Sequence, residues 1–210
     1  MAEAYLNLLE GNLNWMEKMR KEDPKFFERL SVGQNPEYLW IGCSDSRVHA
    51  NEITGTQAGT IFVHRNLANV VIQTDMNLLT VLYFAVDILK VKHVIICGHY
   101  GCSGIAAAMD NADHGFVNNW LRQIKEVYAS NKKELERIND EERKYDRLVE
   151  LNVIQQVQNL SKTRIVQRAW KNGLLAIHGW VFDCKTGLIN DLNCDINNIE
   201  QVEPIFRLNL

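Results

Sequence analysis

Three short apolar runs mark the first half of the chain: Tyr38-Leu39-Trp40-Ile41-Gly42, Thr60-Ile61-Phe62-Val63-His64 and His93-Val94-Ile95-Ile96-Cys97-Gly98. Runs of this length without polar alternation read as strands buried on both faces, the habit of parallel sheets. Between the second and third, Leu78, Leu79, Leu82, Ala85, Val86 and Leu89 recur at a helical period. That spacing predicts a helix from Asn77 to Leu89 and completes a strand-helix-strand unit. Ahead of the first strand, Leu6, Leu9, Leu13, Met16 and Met19, then Phe26, Phe27 and Leu30, keep helical spacing across a break at Asp23-Pro24, so residues 1–31 read as a helix pair. From Phe116 to Lys171 the pattern is helical and charged, as in Lys132-Lys133-Glu134-Leu135-Glu136-Arg137, where the charges read as a solvated face. Leu174 to Phe182 reads as a fourth strand, Lys185-Thr186-Gly187 as a turn, and Leu188 to Leu192 as a fifth strand closing a hairpin. The expected fold is α/β: an open, mostly parallel sheet of four strands plus an antiparallel edge strand, flanked by helices, with an N-terminal helical arm. The expected organisation is a single domain over 1–210, divided into an arm at 1–31 and an α/β core at 36–210.

Composition narrows the function. The chain has 210 residues, 46% hydrophobic and 23% charged, enough for one sizeable core. A formal net charge of −3 gives no basic footprint for nucleic acid or anionic lipid, so neither is an expected partner. The N-terminal Met1-Ala-Glu-Ala-Tyr-Leu lacks a basic region and an apolar stretch, and no apolar run approaches the ~20 residues of a membrane helix. Five cysteines, an odd number in a chain too large to need a disulfide scaffold, read as reduced thiols in a cytoplasmic protein.

The first and third runs each lead directly into chemistry. Cys43-Ser44-Asp45-Ser46-Arg47 follows the first, and Cys97-Gly98-His99-Tyr100-Gly101-Cys102-Ser103-Gly104 the third. Ligands of open α/β sheets bind beyond the carboxyl ends of the strands. If these strands are neighbours, Cys43, His99 and Cys102 converge there as two thiolates and an imidazole, a set suited to Zn²⁺. Asp45 is close enough in sequence to be considered for a fourth position. Cys97, mid-strand, is expected to face away from the site, and Cys184 and Cys194 read as core or surface thiols. The glycines at 98, 101 and 104 do not make a dinucleotide loop.

With CSDSR at 43–47, HRNLAN at 64–69 and HxxC at 99–102, the chain resembles the β-class carbonic anhydrases over nearly its whole length. The resemblance implies zinc on Cys43, His99 and Cys102, a catalytic Asp45–Arg47 dyad, and interconversion of CO₂ and bicarbonate. It points to a subgroup in which Asp45 exchanges between the metal, at lower pH, and Arg47, at higher pH. Phe62, Val63 and Phe84 are candidates for the apolar lining that CO₂ requires. The subgroup's second bicarbonate pocket matches at Trp40 and Arg65, but its third position, a tyrosine, is Phe182 here. Losing that hydroxyl predicts weak or absent bicarbonate inhibition. His49 and Ser103 also depart from the family's habit: His49 as a protonatable group near Arg47, Ser103 as a hydroxyl able to cap a helix. The resemblance further implies a homodimer or homotetramer whose active sites are completed across an interface. Three other readings compete: a related heteroallene (CS₂ or COS) as substrate, a non-catalytic structural zinc site with Asp45 as permanent ligand, and a hydrolase with Cys102 as nucleophile and His99 as base. Arg47 argues against the second, because a permanent ligand needs no competing cation. Adjacency on one short loop argues against the third.

Overall fold

The computed structural model describes residues 2–173 and 175–210 and divides into two units, Met1–Asn35 and Pro36–Leu210. In the first, helix α1 (Ala2–Glu22) and helix α2 (Phe26–Ser31) flank the predicted break. Trp15, Phe26 and Phe27 pack edge to face there, with centroids 5.1 to 6.0 Å apart. Arg29 pairs with Asp23 across the turn. Tyr5, Leu6, Leu8, Leu9 and Leu13 of α1 are exposed.

The second unit is built on a sheet that has five strands among the described residues, ordered β2-β1-β3-β4-β5. Strands β1 (Tyr38–Cys43), β2 (Ile61–Asn66), β3 (His93–His99) and β4 (Ala176–Phe182) are parallel, and β5 (Ile189–Asp191) pairs antiparallel with β4. The predicted topology is therefore the observed one. Leu174, the expected first residue of the fourth strand, lies outside the described residues. No helix among the described residues is long and apolar enough to cross a membrane.

Alternation along the strands splits the core. Leu39, Ile41, Val94, Ile96, Ile177 and Val181 face the larger cluster, beneath α8 (Glu141–Ser161). Trp40, Ile95, Cys97 and Phe182 face a smaller one with Val48 and Ala50, the latter opening the short helix α3 (Ala50–Thr54). Cys97 is thus turned from the face that carries Cys43, as expected, and complete burial pushes its thiol well above the ordinary range. The remaining helices are α4 (Met76–Tyr83), α5 (Ser103–Met109), α6 (Asn118–Ser130), α7 (Lys132–Leu135) and α9 (Arg164–Lys171). The helix expected to run evenly to Leu89 changes character: after α4 the chain widens into a π turn at Phe84–Ile88, closed by Leu89 N–H donating to Phe84 O at 2.9 Å. The extra residue in that turn accompanies an ion pair between Asp87 and Arg168 of α9 at 2.5 Å.

Helix α8 comes unusually close to β3. A Cβ added at Gly98 would stand 2.7 Å from Val153 Cγ2, so the Val153 side chain or the backbone that carries it must shift. Gly98→Ala is accordingly expected to cost about 1–3 kcal/mol in a denaturant titration, and an unchanged midpoint would show that the shift is free.

Candidate active site

The carboxyl ends of β1 and β3 deliver the chemistry. Cys43 closes β1 and His99 closes β3; by alternation they belong to opposite faces, and they meet because both lie at strand ends. Gly101, with φ +73°, supplies the left-handed residue that turns the chain back to Cys102. Cys102 occupies the position before α5, so it, and not Ser103, is the N-cap, and the amides of Gly104 and Ile105 face its sulfur.

The donor atoms of Cys43, His99 and Cys102 all lie within 4.8 Å of one another, and all three residues are buried. The two sulfurs are 3.9 Å apart, against about 3.8 Å for two ~2.3 Å bonds to one tetrahedral zinc. His99 Nδ1 lies 3.1 Å from Tyr100 O, which as an acceptor fixes the proton on Nδ1 and leaves Nε2 its lone pair. That Nε2 is buried without a hydrogen-bond partner. An orphaned imidazole nitrogen facing two thiols is the donor set a zinc ion completes. The Cys43 thiol is pulled below the ordinary range, chiefly by its hydrogen bond with Cys102, with further help from His99 and the backbone N–H groups of Asp45 and Ala68, and the same bond pushes the Cys102 thiol up.

Asp45 and Arg47 form a closed pair beside this group. Arg47 Nε donates to Asp45 Oδ1 at 2.9 Å and Nη2 to Oδ2 at 2.8 Å, and the Arg47 backbone N–H adds a third bond to Oδ1 at 3.0 Å. The guanidinium, with the Arg47 amide, holds the Asp45 carboxyl well below the usual carboxylate range. Arg47 Nη2 also donates to Gly101 O at 3.0 Å, tying the two ligand loops together. Asp45 Oδ2 stands 3.7 Å from His99 Nε2, at the edge of the ligand group.

The other expected residues are placed more diversely. Arg65 donates to Cys43 O at 2.9 Å and to Asp45 O at 2.5 Å, so its guanidinium holds backbone. Trp40 is 1% exposed and meets Trp180 edge to face, with Phe182 in the same cluster. Phe62 and Phe84 stack at 5.8 Å, but Phe62 pairs with Leu39 while Asn66 pairs with Cys43. Four residues of strand, roughly 13 Å, separate that stack from the crest. Phe62, Val63 and Phe84 are therefore not brought to the metal group within one chain, and Val63 and Phe84 are 40% and 41% exposed. A cleft of about 1060 Å³ instead opens beside Arg47, with Tyr100, Tyr145, Asp146 and Cys184 among its walls. His49 is exposed, its Nε2 2.9 Å from Ser46 O.

Sequence reasoning missed Tyr145, whose hydroxyl donates to Cys102 O at 2.6 Å, and the amides of α8 that grip the loop after β2. A signal was present: Asn152 and Gln156 interrupt the apolar stripe of Leu148, Val149, Val153, Val157 and Leu160, and a polar residue on a buried face needs a partner.

The family model described as carbonic anhydrase matches residues 38–189. A carbonic anhydrase of Emericella nidulans is 47% identical over 99% of this chain and 92% of its own length. The chain belongs to the carbonic anhydrase family. Its class follows from solved structures. A β-carbonic anhydrase of Sordaria macrospora, one of two described as tetrameric, superposes with a TM-score of 0.89 at 39% identity over 92% of this chain and 99% of that one. A Coccomyxa β-carbonic anhydrase in complex with acetazolamide gives 0.88 at 37% identity, over 92% and 88%. As a β-class carbonic anhydrase the chain is an enzyme of CO₂ hydration, and its ligand group lies in the strand-end loops described above.

Proposed function

We propose that this carbonic anhydrase holds one zinc ion on Cys43, His99 and Cys102 and uses Asp45 and Arg47 as its catalytic pair in converting CO₂ and water to bicarbonate and a proton. The observation that carries this is the buried, unpartnered His99 Nε2 facing the two sulfurs. Zinc bound there supplies a water whose pKa falls from 15.7 to about 7. The chain's own groups supply the rest. Asp45 Oδ2, beside His99 Nε2, would accept a hydrogen bond from a water held at the ligand group, and Arg47 keeps that carboxylate ionised and aimed. Turned away from Arg47, Asp45 would instead take that water's place, so the two placements exclude each other and make a switch.

Metal analysis with stopped-flow CO₂ hydration tests the reading. One zinc per chain is expected, with kcat rising through a single step at about pH 7. The Asp45 carboxyl, held far below that range, stays ionised across the step, so Asp45→Asn, which removes that fixed negative charge, is expected to lower the plateau and move the midpoint to lower pH. A chain without zinc, or one with zinc that turns over CS₂ or COS but not CO₂, would defeat it.

Bicarbonate inhibition through Trp40, Arg65 and Phe182 is expected to be weak, because Arg65 already serves two carbonyls and Phe182 offers no hydroxyl. Initial hydration rates with added bicarbonate check this. Inhibition in the native chain matching that of Phe182→Tyr would count against it.

We also infer a homodimer or homotetramer. Support comes from the edge position of β2, the exposure of Val63 and Phe84 beside it, and the tetramers described for Sordaria macrospora. In such an assembly Phe62, Val63 and Phe84 would line the CO₂ pocket of a neighbouring protomer. Light scattering after size exclusion reads the assembly directly.

A further inference from the structure

Three buried or half-buried amides on one face of α8, Asn152, Gln156 and Asn159, run as a ladder at intervals of four and three residues. Gln156 Nε2 donates to Asn152 Oδ1 at 2.9 Å, and Asn159 Nδ2 donates to Gln156 Oε1 at 3.1 Å. The free ends all reach one target, the loop that follows β2. Asn152 Nδ2 donates to Ala68 O at 3.1 Å, Gln156 Oε1 accepts from Val71 N–H at 2.9 Å, and Asn159 Nδ2 reaches Val71 O at 3.3 Å. The orientation of each amide is forced, since a backbone N–H at Val71 needs an oxygen and a carbonyl at Ala68 needs an N–H. From the other side, Trp120 Nε1–H donates to Leu67 O at 2.7 Å.

What the ladder holds is a conformation the chain would not choose. Ala68 and Asn69 are both left-handed, with φ 61° and 49°, and neither is glycine. An alanine in that region is strained and persists only when its surroundings over-determine it. In this conformation Ala68 N–H points at Cys43 Sγ at 3.3 Å. Asn152 and Gln156 are each 1% exposed, and the bonds to each other and to the loop offset the cost of burying their amides.

We infer that Asn152 and Gln156 are positioning residues for the metal centre, holding Ala68 N–H on the Cys43 sulfur so that this ligand donates less charge to the ion and keeps one orientation. The inference rests on the zinc reading given above. Outer groups that orient a ligand typically set metal affinity by about 10–100-fold.

The test uses the full chain loaded with cobalt, whose sulfur-to-metal charge-transfer absorption reports on the thiolates. In Gln156→Leu the band is expected to move to longer wavelength, because a sulfur without its N–H donor gives up charge more easily, and release of the ion to a chelator is expected to quicken by about 10–100-fold. Gln156 acts through Asn152, the rung that holds Ala68 O; Asn159→Leu, at the outer rung with no bond to Asn152, is expected to do the same to a smaller extent. A band and release rate equal to the native chain's in both variants overturns the inference, whatever happens to thermal stability. Should Gln156→Leu fail to fold, NMR of the native chain loaded with cadmium decides: scalar coupling between the Ala68 amide proton and the metal is expected, and its absence overturns the proposal. A native chain that takes up neither ion at Cys43, His99 and Cys102 overturns the zinc reading itself, and this inference with it.

Discussion

Cys102→Ser is expected to strip the protein of zinc, to below about a tenth of an ion per chain, and to lower CO₂ hydration by at least about three orders of magnitude. A serine hydroxyl does not ionise near neutral pH, so the site would fall from three protein ligands to two, Cys43 and His99. The loss is local. Tyr145 hydrogen-bonds the Cys102 carbonyl, not its sulfur, and the turn at Gly101 is untouched by the change. Elemental analysis, with circular dichroism to confirm the fold, separates loss of metal from loss of structure. The result also decides between chemistries: were Cys102 a nucleophile with His99 as its base, activity would vanish with zinc content unchanged. Full zinc content with a near-native rate would remove Cys102 from the ligand set altogether.

Arg47→Ala is expected to lower kcat by about 100-fold while leaving zinc in place. The substitution takes away two side-chain bonds to Asp45, at 2.9 and 2.8 Å, and the bond to Gly101 O. The carboxylate, already 3.7 Å from His99 Nε2, would then be free to turn toward a metal held by Cys43, His99 and Cys102. Two further variants test that cause. Adding Asp45→Asn to Arg47→Ala should lower the rate little further, because both changes disable one unit. Arg47→Lys should recover only part of it, since an ammonium is a point charge and does not reproduce the paired guanidinium bonds. Additive losses would show that Arg47 acts independently of Asp45.

The same pair carries a pH sign. The folded-state Asp45 carboxyl is depressed, so its stabilising contribution is present above the ordinary carboxylate pKa and is lost only as pH falls through the depressed one. With the Arg47 side chain 54% exposed, that contribution is small, under about 1 kcal/mol after solvent screening. Arg47→Ala is thus expected to move activity far more than the unfolding midpoint near neutral pH.

How far the sequence reached can be judged from particular elements. The parallel strands were legible because burial on both faces writes an unbroken apolar run, and their ends were legible because Cys43 and His99 follow such runs directly. The π turn at Phe84–Ile88 was not, since Ala85, Val86 and Leu89 satisfy a helical period whether or not one turn widens. Phe62 and Phe84 were candidates for an apolar lining, and they stack on each other. Their distance from the crest depends on register, which periodicity does not carry. Arg65 was recognised as a notable cation, but only the fold shows that its guanidinium is engaged by the carbonyls of Cys43 and Asp45.

By itself, then, the sequence determined the α/β class, the strand-end placement of Cys43, Asp45, Arg47, His99 and Cys102, and the suitability of Cys43, His99 and Cys102 for zinc. These are properties of residue type and local pattern, since sulfur and imidazole nitrogen are zinc donors wherever they stand, while their ionisation is set by what surrounds them. Tertiary structure alone decided that the sulfurs stand 3.9 Å apart, that Asp45 is turned to Arg47, and that the amides of α8 hold a strained alanine against Cys43. Those facts join residues as far as 88 positions apart, and no local pattern encodes a contact that forms only when separate elements pack.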